Sequence, residues 1–557
     1  MNRSIKRTLF LNTAWFWLAI AGTFVLAGCV AKTPPSDSNN VVSMPIEMFK
    51  ASSNCAACHQ GMKDSFGNDV SIYPEWQTSI MANAARDPYY FASVRMETKN
   101  SPQYAEAIEQ KCATCHAPMA VFSNIASGEK SLLLGQQGIL APEHPLYELA
   151  VDGVSCTVCH QIPVNPADNL RHSGDLAINL DLSALERPIY GAFPITEQNA
   201  AIMKAASGYT AVQSEHVRES TICASCHELY LNFVQTDGTM STGEDLFYEQ
   251  TPYSEWLASD VSEKSTCQSC HMPAADGAAP ISNITPDNLV NPFARHTFSG
   301  GNVFMLNIFK QFGEELGIPG SASALDQHIQ RTEELLQTET ANVFVSLVEQ
   351  QADTITFKVE VDVLTGHKFP TSFPSRRSWL HVTVSDANGL VIFESGAYDQ
   401  TGKIFGNEND DNPLGYEPHY EIISAPDQVQ IYEPIMKNSL GQVTTLQMQA
   451  AGYLKDNRLL PSGFDKQNPP LVSAVIGNAL QDPTFTGGSD SLTYQVQTGA
   501  AQGPFTVQVD LLYQSVGYRW SQNVLDSQTD EALTFGRMLK QTGNIPVKIA
   551  SQTIEIE

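Results

Sequence analysis

Thr266-Cys-Gln-Ser-Cys-His-Met-Pro273 holds two cysteines separated by two residues, with a histidine directly after the second. Alone, such a pair is half a zinc ribbon or a redox dithiol, and neither use explains the histidine. How often the pattern recurs therefore decides its meaning, and with it the fold of the surrounding chain.

It recurs as Cys55-Ala-Ala-Cys58-His59, Cys112-Ala-Thr-Cys115-His116, Cys156-Thr-Val-Cys159-His160, Cys223-Ala-Ser-Cys226-His227 and Cys267-Gln-Ser-Cys270-His271, which uses ten of the eleven cysteines. C-x-x-C-H is the attachment signature of c-type haem: the two thiols form thioethers with the haem vinyl groups, and the adjacent imidazole is the proximal iron ligand. Zinc pairs two C-x-x-C units and has no use for a histidine after each, and a redox dithiol occurs once. The expectation is five covalently bound haem c groups. The steps between copies, 57, 44, 67 and 44 residues, are unequal, as expected for separate haem-binding turns and unlike a solenoid.

The eleventh cysteine ends Leu26-Ala-Gly-Cys29, after Arg3, Lys6, Arg7 and an apolar run from Leu9 to Ala27. This reads as a signal peptide over 1–28 with a lipobox, making Cys29 the lipidated first residue of the mature chain. An uncleaved anchor is the alternative, for which the run is only marginally long. Val30 in place of an aspartate implies, in lipoproteins of this type, sorting to the outer membrane, on its periplasmic or cell-surface face. No further long apolar run appears, so lipid alone attaches the protein to the membrane.

The chain has 557 residues and a net charge of −28, which excludes a nucleic-acid partner. Redox partner proteins are the expected partners. Residues 29–45 are Pro, Ser and Asn rich and read as a lipidated tether. Residues 46–320 contain all five motifs and few strand signals: a pentahaem cytochrome c domain, packed on its haems, with short helices and loops. Helical periodicity is expected over 78–97 and 303–315. An amphipathic linker helix over 321–340 carries Leu325, Ile329, Thr332 and Leu336 on one face. From 341 to 557 the period becomes two: Ile355, Phe357, Val359, Val361 and Val363 alternate with polar residues. Leu380, Val382 and Val384 lead into an Asn388-Gly389 turn, and Phe505 to Leu511 and the final PVKIASQTIEIE complete the pattern. The fold class is therefore α+β with two domains, a mostly helical and loop multihaem domain followed by an all-β sandwich.

A sixth iron ligand separates a low-spin carrier from a haem open to substrate. Beyond the proximal His59, His116, His160, His227 and His271, eight histidines remain. His144, His216, His296 and His367 are the first candidates for distal ligands. His172 follows, then His419 and His328, with Met81 as a thioether rival at the first haem. His381, between Leu380 and Val382, is expected to be structural. The acidic stretch 406–413, GNENDDNP, lacks EF-hand spacing and reads as a solvated turn.

At these residues the chain resembles bacterial multihaem cytochromes c of the cytochrome c-552/4 type. The matching segments are WQTSIMANAARDPYY (76–90), DGVSCTVCHQI (152–162), HVRESTICASCH (216–227), PYSEW (252–256), TCQSCHMP and RHTFSGGN (295–302). TGHKFPTSFPSRRSWLHVTVSDANG (365–389), LKDNRLLPSGF (454–464) and LLYQSVGYRW (511–520) are similar to segments of large pentahaem members with a C-terminal β domain. The resemblance implies electron transfer, with His296 and His367 as distal ligands. Where such proteins carry W-x-x-S-x-H this chain has Met81, so the first haem's sixth ligand stays open. The leading expectation is a lipid-anchored pentahaem carrier between a periplasmic donor and a terminal, extracellular or periplasmic, acceptor. The alternative is a reductase or oxidase of small nitrogen or sulfur species at one five-coordinate haem, although no motif ends in the lysine of pentahaem nitrite reductases. A third reading makes the β domain a docking module.

Overall fold

A computed structural model of the protein describes residues 47–557. The leader, Cys29 and the tether lie outside them. Among the described residues no helix is long and apolar enough to cross a membrane.

The architecture is mixed α+β, helix-rich toward the N-terminus and sheet-rich toward the C-terminus. In the first region the helices are short and joined by long loops. Periodicity predicts a helix from residue 78, yet the regular helix runs Pro88–Asn100. The start is set by Asp87, whose carboxylate accepts the N–H groups of Tyr89 and Tyr90, and by Pro88 at the first helical position, where its missing N–H costs nothing. Ala322–Thr338 is the amphipathic helix expected, capped by Ser321 on Ala324 N–H. Its buried face holds Leu325, His328, Ile329, Thr332 and Leu336, so a histidine joins the apolar stripe.

The second region contains two facing sheets. Strands β1 (Ala341–Gln350), β2 (Thr354–Val363), β3 (Arg377–Ser385) and β4 (Val391–Ser395) are followed by the short β5 (Ile422–Ile423) and β6 (Ile431–Tyr432). β7 (Ser489–Gln497), β8 (Phe505–Gln514) and β9 (Val547–Ile556) complete the set. One sheet has the order β4-β3-β8-β9, with β6 also on β3, and the other β5-β7-β2-β1. Ile355, Phe357, Val359 and Val361 are fully buried along β2, as period-two alternation requires. β3 and β4 pair antiparallel through the Asn388-Gly389 turn, where Gly389 takes φ +78°.

The sheet region is not all β. Helices Tyr518–Asp526 and Asp530–Thr542 lie between β8 and β9. They bury Val524, Ala532, Phe535 and Met538. These side chains join Tyr89, Ala92 and Met96 of Pro88–Asn100, the helix Val303–Gln311 and both sheets in one continuous core. Arg95–Glu531 and Lys99–Ser527 contacts fix the same junction. Ala532, Phe535, Met538 and Leu539 recur at helical spacing, a signal that a period-two reading of the region passes over.

One polar segment also differs from expectation. The 406–413 stretch is no solvated turn: Asn407, Asn409 and Asp410 are buried, and Asp410 accepts two hydrogen bonds from Arg377, at 2.8 and 3.0 Å. Lys455, Asp456, Asn457 and Arg458 are buried as well.

Candidate haem-attachment array and its histidines

Each cysteine motif sits on a helical turn, for example Cys156–Cys159, Thr221–His227 and Cys267–His271. Residues three apart share a helix face, so the two thiols of a motif point the same way and the histidine follows at the helix end. Four motif imidazoles are fixed by donating Nδ1–H to a backbone carbonyl: His59 to Ile281 (2.9 Å), His116 to Ala84 (3.1 Å), His160 to Tyr190 (2.6 Å) and His271 to Ser299 (2.6 Å). That bond selects the tautomer whose Nε2 lone pair is available to a metal. Burial holds His116 and His227 near pKa 4, the neighbouring His271 adding to the effect at His227. Both rings are neutral at neutral pH, the ligating state.

The motifs are not isolated. The thiols of Cys55 and Cys156, of Cys115 and Cys226, and of Cys223 and Cys267 lie within hydrogen-bonding reach. Cys159 is within charge-interaction range of Cys223 and Cys226. The first motif therefore touches the third, and the fourth touches the second and the fifth and neighbours the third. Among the described residues the ten motif cysteines form no disulfide. Among the described residues none of them, and no motif histidine, belongs to a group of three donors close enough to share one metal ion. A tetrahedral zinc site needs such convergence. Two thiols diverging from an imidazole with a free Nε2 suit attachment to the edge and the iron of one large macrocycle, so the donor set fits haem and not zinc.

Two of the candidate distal histidines lie parallel to a motif histidine. His296 lies with its ring centroid 6.4 Å from that of His160 and its plane within 16°. His367 lies 6.3 Å from His271, within 7°. Two metal–imidazole bonds of about 2 Å, plus the distance from each ring nitrogen to its ring centre, account for such a spacing. His296 donates Nδ1–H to Ala294 O (3.2 Å) and His367 to Lys368 O (2.9 Å), the pattern of the motif rings. Burial lowers both, His296 to about 3.

The other histidines are placed differently. His216, expected as a ligand, has neither nitrogen free: Nδ1 meets Ser214 Oγ at 2.6 Å and Nε2 donates to Ile162 O at 2.9 Å. Its ring packs edge-on against Tyr190, whose carbonyl orients His160, so it supports the third motif from behind. His144 accepts Leu146 N–H at Nδ1 (3.1 Å), which leaves the proton on Nε2. His172 contacts Ser173 Oγ (2.8 Å) and leans on Tyr230. His328, almost wholly buried, donates Nδ1–H to Thr78 Oγ1 (3.1 Å), itself oriented by donating to Glu75 O. His328 thus shares the tautomer of the motif histidines. His381 pairs with Glu394 on the outer face of β3, a structural role.

His419 lies with Asp482 and Asp490 in the one three-donor cluster found among the described residues. Its Nδ1 accepts from the amides of Gln430 (2.9 Å) and Asn457 (3.1 Å), so Nε2 bears the proton given to Asp482 (3.0 Å). No lone pair is left for a metal. The cluster is a buried hydrogen-bond network tying β7 to its neighbours, in which Asp490 accepts from Tyr432 and Gln430 through Oδ2 while its Oδ1 has no partner.

What residue-by-residue reading passes over is a tetrapeptide that occurs twice, Tyr73-Pro-Glu75-Trp76 and Tyr253-Ser-Glu255-Trp256. In each copy the glutamate is buried. The repetition itself was the available signal.

No protein-family model matches the chain, and no curated protein matches it. Among solved structures, the crystal structure of a penta-heme cytochrome c552 from Thermochromatium tepidum is a distant likeness, with a TM-score of 0.49 and 17% identity over 92% of this chain and 100% of that one.

Proposed function

We propose that the protein is a multihaem electron-transfer protein carrying five covalent haem c groups. The observation that carries the reading is the array itself: five thiol-thiol-imidazole sets, each meeting another through its cysteines or charges. The thiols of each motif would hold haem covalently, and His59, His116, His160, His227 and His271 would bind iron on one side. His296 and His367 would bind it on the other side at the third and fifth motifs. Haem so held exchanges one electron at a time between ferric and ferrous iron. The chain's own contribution is to hold neutral imidazoles in a fixed tautomer and to bury them, so that little rearranges when charge arrives. Cys29 would carry the lipid, with outer-membrane attachment through that group alone, and redox proteins would be the donor and acceptor.

A second reading has one observation in its favour. His59, His116 and His227 have no parallel imidazole partner among the described residues, so a haem there with an open sixth position would make the protein a reductase or oxidase of small nitrogen or sulfur species. Intact mass of the mature protein tests the cofactor count. Five haem increments are expected, and fewer would count against the array as an electron path.

A further inference from the structure

The repeated tetrapeptide does the same two things at two places. Trp76 donates its indole N–H to Val154 O at 3.0 Å, and Trp256 donates to Ser265 O at 3.0 Å. Val154 stands two residues before Cys156, and Ser265 two before Cys267. Each tryptophan thus fixes the entry to one cysteine motif, at the same position. The preceding glutamate holds the other side. Glu75 accepts the backbone N–H of His296 at 2.9 Å and the Arg295 Nε–H at 2.6 Å. Glu255 accepts the Thr371 hydroxyl, four residues beyond His367, and pairs with Arg458 at 2.8 Å. Arg458 shares Asp456 with Lys368, the neighbour of His367. Ser259 closes the contact by donating to Gly366 O at 2.9 Å.

Consecutive residues on a helix diverge by about 100°, which is why one short turn can grip two separate chain segments. In both copies the two segments belong to one imidazole pair: His160 with His296 for Glu75 and Trp76, His271 with His367 for Glu255 and Trp256. A tyrosine ring braces the tryptophan in each, at 6.2 Å for Tyr73 and 5.5 Å for Tyr253.

We propose that the two Tyr-x-Glu-Trp turns are duplicated brackets, each locking the cysteine motif and the sixth ligand of one haem together, with Glu75 and Glu255 as the positioning residues for His296 and His367. This rests on the haem reading above. It adds that the low-spin state of two haems depends on carboxylates that bond the segments around His296 and His367 and not their rings. A covalent bond to the cysteines does not need the distal loop, so attachment and spin state should separate.

The test uses the full-length mature protein, with intact mass for haem count, EPR for high-spin iron and cyanide binding for an open position. Glu75→Ala and Glu255→Ala should each keep all five haems and turn one low-spin haem high-spin, and the double variant should turn two. Thr371→Val removes one hydroxyl donor from the second bracket and no charge, and should raise the cyanide-binding rate at one haem. It carries the test if the glutamate variants do not accumulate. Parental spectra in the single glutamate variants, or a parental cyanide rate in Thr371→Val where it stands alone, overturn the bracket. A parent protein that lacks haem by mass overturns the haem reading instead, so the two failures are told apart.

Discussion

The rings of His271 and His367 lie 6.3 Å apart with planes 7° from parallel, although 96 positions separate them in the chain. One belongs to the last cysteine motif and the other to the loop entering β3. A histidine of the sheet region therefore reaches into the cysteine array, held there by bonds to Gly366, Thr371 and Lys368. His367→Ala should convert one haem to the high-spin form while the mass still counts five. A wholly low-spin spectrum would return His367 to a structural role.

His216 should behave in the opposite way. Both its nitrogens are bonded and its ring packs on Tyr190. Replacing it with alanine leaves Ile162 O and Ser214 Oγ without partners, at a cost of about 1–3 kcal/mol. Denaturant unfolding should report that loss, with low-spin intensity unchanged in the folded protein. A new high-spin haem would show that His216 ligates after all.

That pair of histidines marks what the sequence can and cannot convey. The five cysteine motifs are readable because the thioether chemistry proposed for them needs cysteines at fixed spacing. The alternation of β2 and the stripe of Ala322–Thr338 are readable because burial imposes a period. Which histidine faces a motif ring is a tertiary matter: His216 lies seven residues before Cys223 and looks well placed, whereas His367 lies far from any motif yet parallels His271. The tautomer that decides the matter depends on carbonyls such as Ile162 O and Lys368 O, which carry no side-chain signature. The helices at 518–542 carry their own helical period, and only their packing on Pro88–Asn100, remote in sequence, is beyond its reach.

Asp456 should be among the most costly residues to remove. Burial raises its carboxyl, but Arg458 and then Lys368 outweigh that and hold it well below the usual carboxylate range. Asp456→Ala would leave buried Lys368 without a carboxylate and Arg458 with Glu255 alone, at about 3–5 kcal/mol. The sign with pH follows from the depressed value. The contribution is present above the unfolded carboxyl value of about 4 and fades as pH falls through the lower folded value. The variant should therefore lose much of the parent's acid-dependent destabilisation, measured as the thermal midpoint against pH.

Glu97 predicts the reverse slope. It is fully buried, with its pKa raised to about 7 by desolvation, against which only the N–H groups of Gln447 and Met448 act. A raised carboxyl stabilises the fold while protonated. Its contribution is complete below the unfolded value of about 4.3 and is lost as pH rises through about 7, up to roughly 3 kcal/mol in all. Glu97→Gln keeps an acceptor for Gln447 N–H without the charge, so its thermal midpoint should fall less than the parent's between pH 5 and pH 8. Equal slopes would place the charge elsewhere.

The last prediction separates carrier from enzyme. Of the eight histidines outside the motifs, His216 and His419 have both ring nitrogens engaged and His381 is paired with Glu394 on the outer face of the sheet. Five remain for five irons: His296 and His367, already paired, then His328, whose tautomer suits ligation, His172, and His144, which must release Leu146 N–H to serve. The supply matches the demand, so the oxidised protein is expected to be low-spin at every haem and to leave nitrite and cyanide unbound. A filled shell reorganises little on reduction, which suits a carrier and denies a substrate its place. If instead one haem is high-spin, binds nitrite or hydroxylamine readily and turns it over with a reduced dye as donor, the carrier reading falls. The motif responsible should then be one whose histidine lacks a parallel partner, His59, His116 or His227, and the remaining haems would be its electron supply.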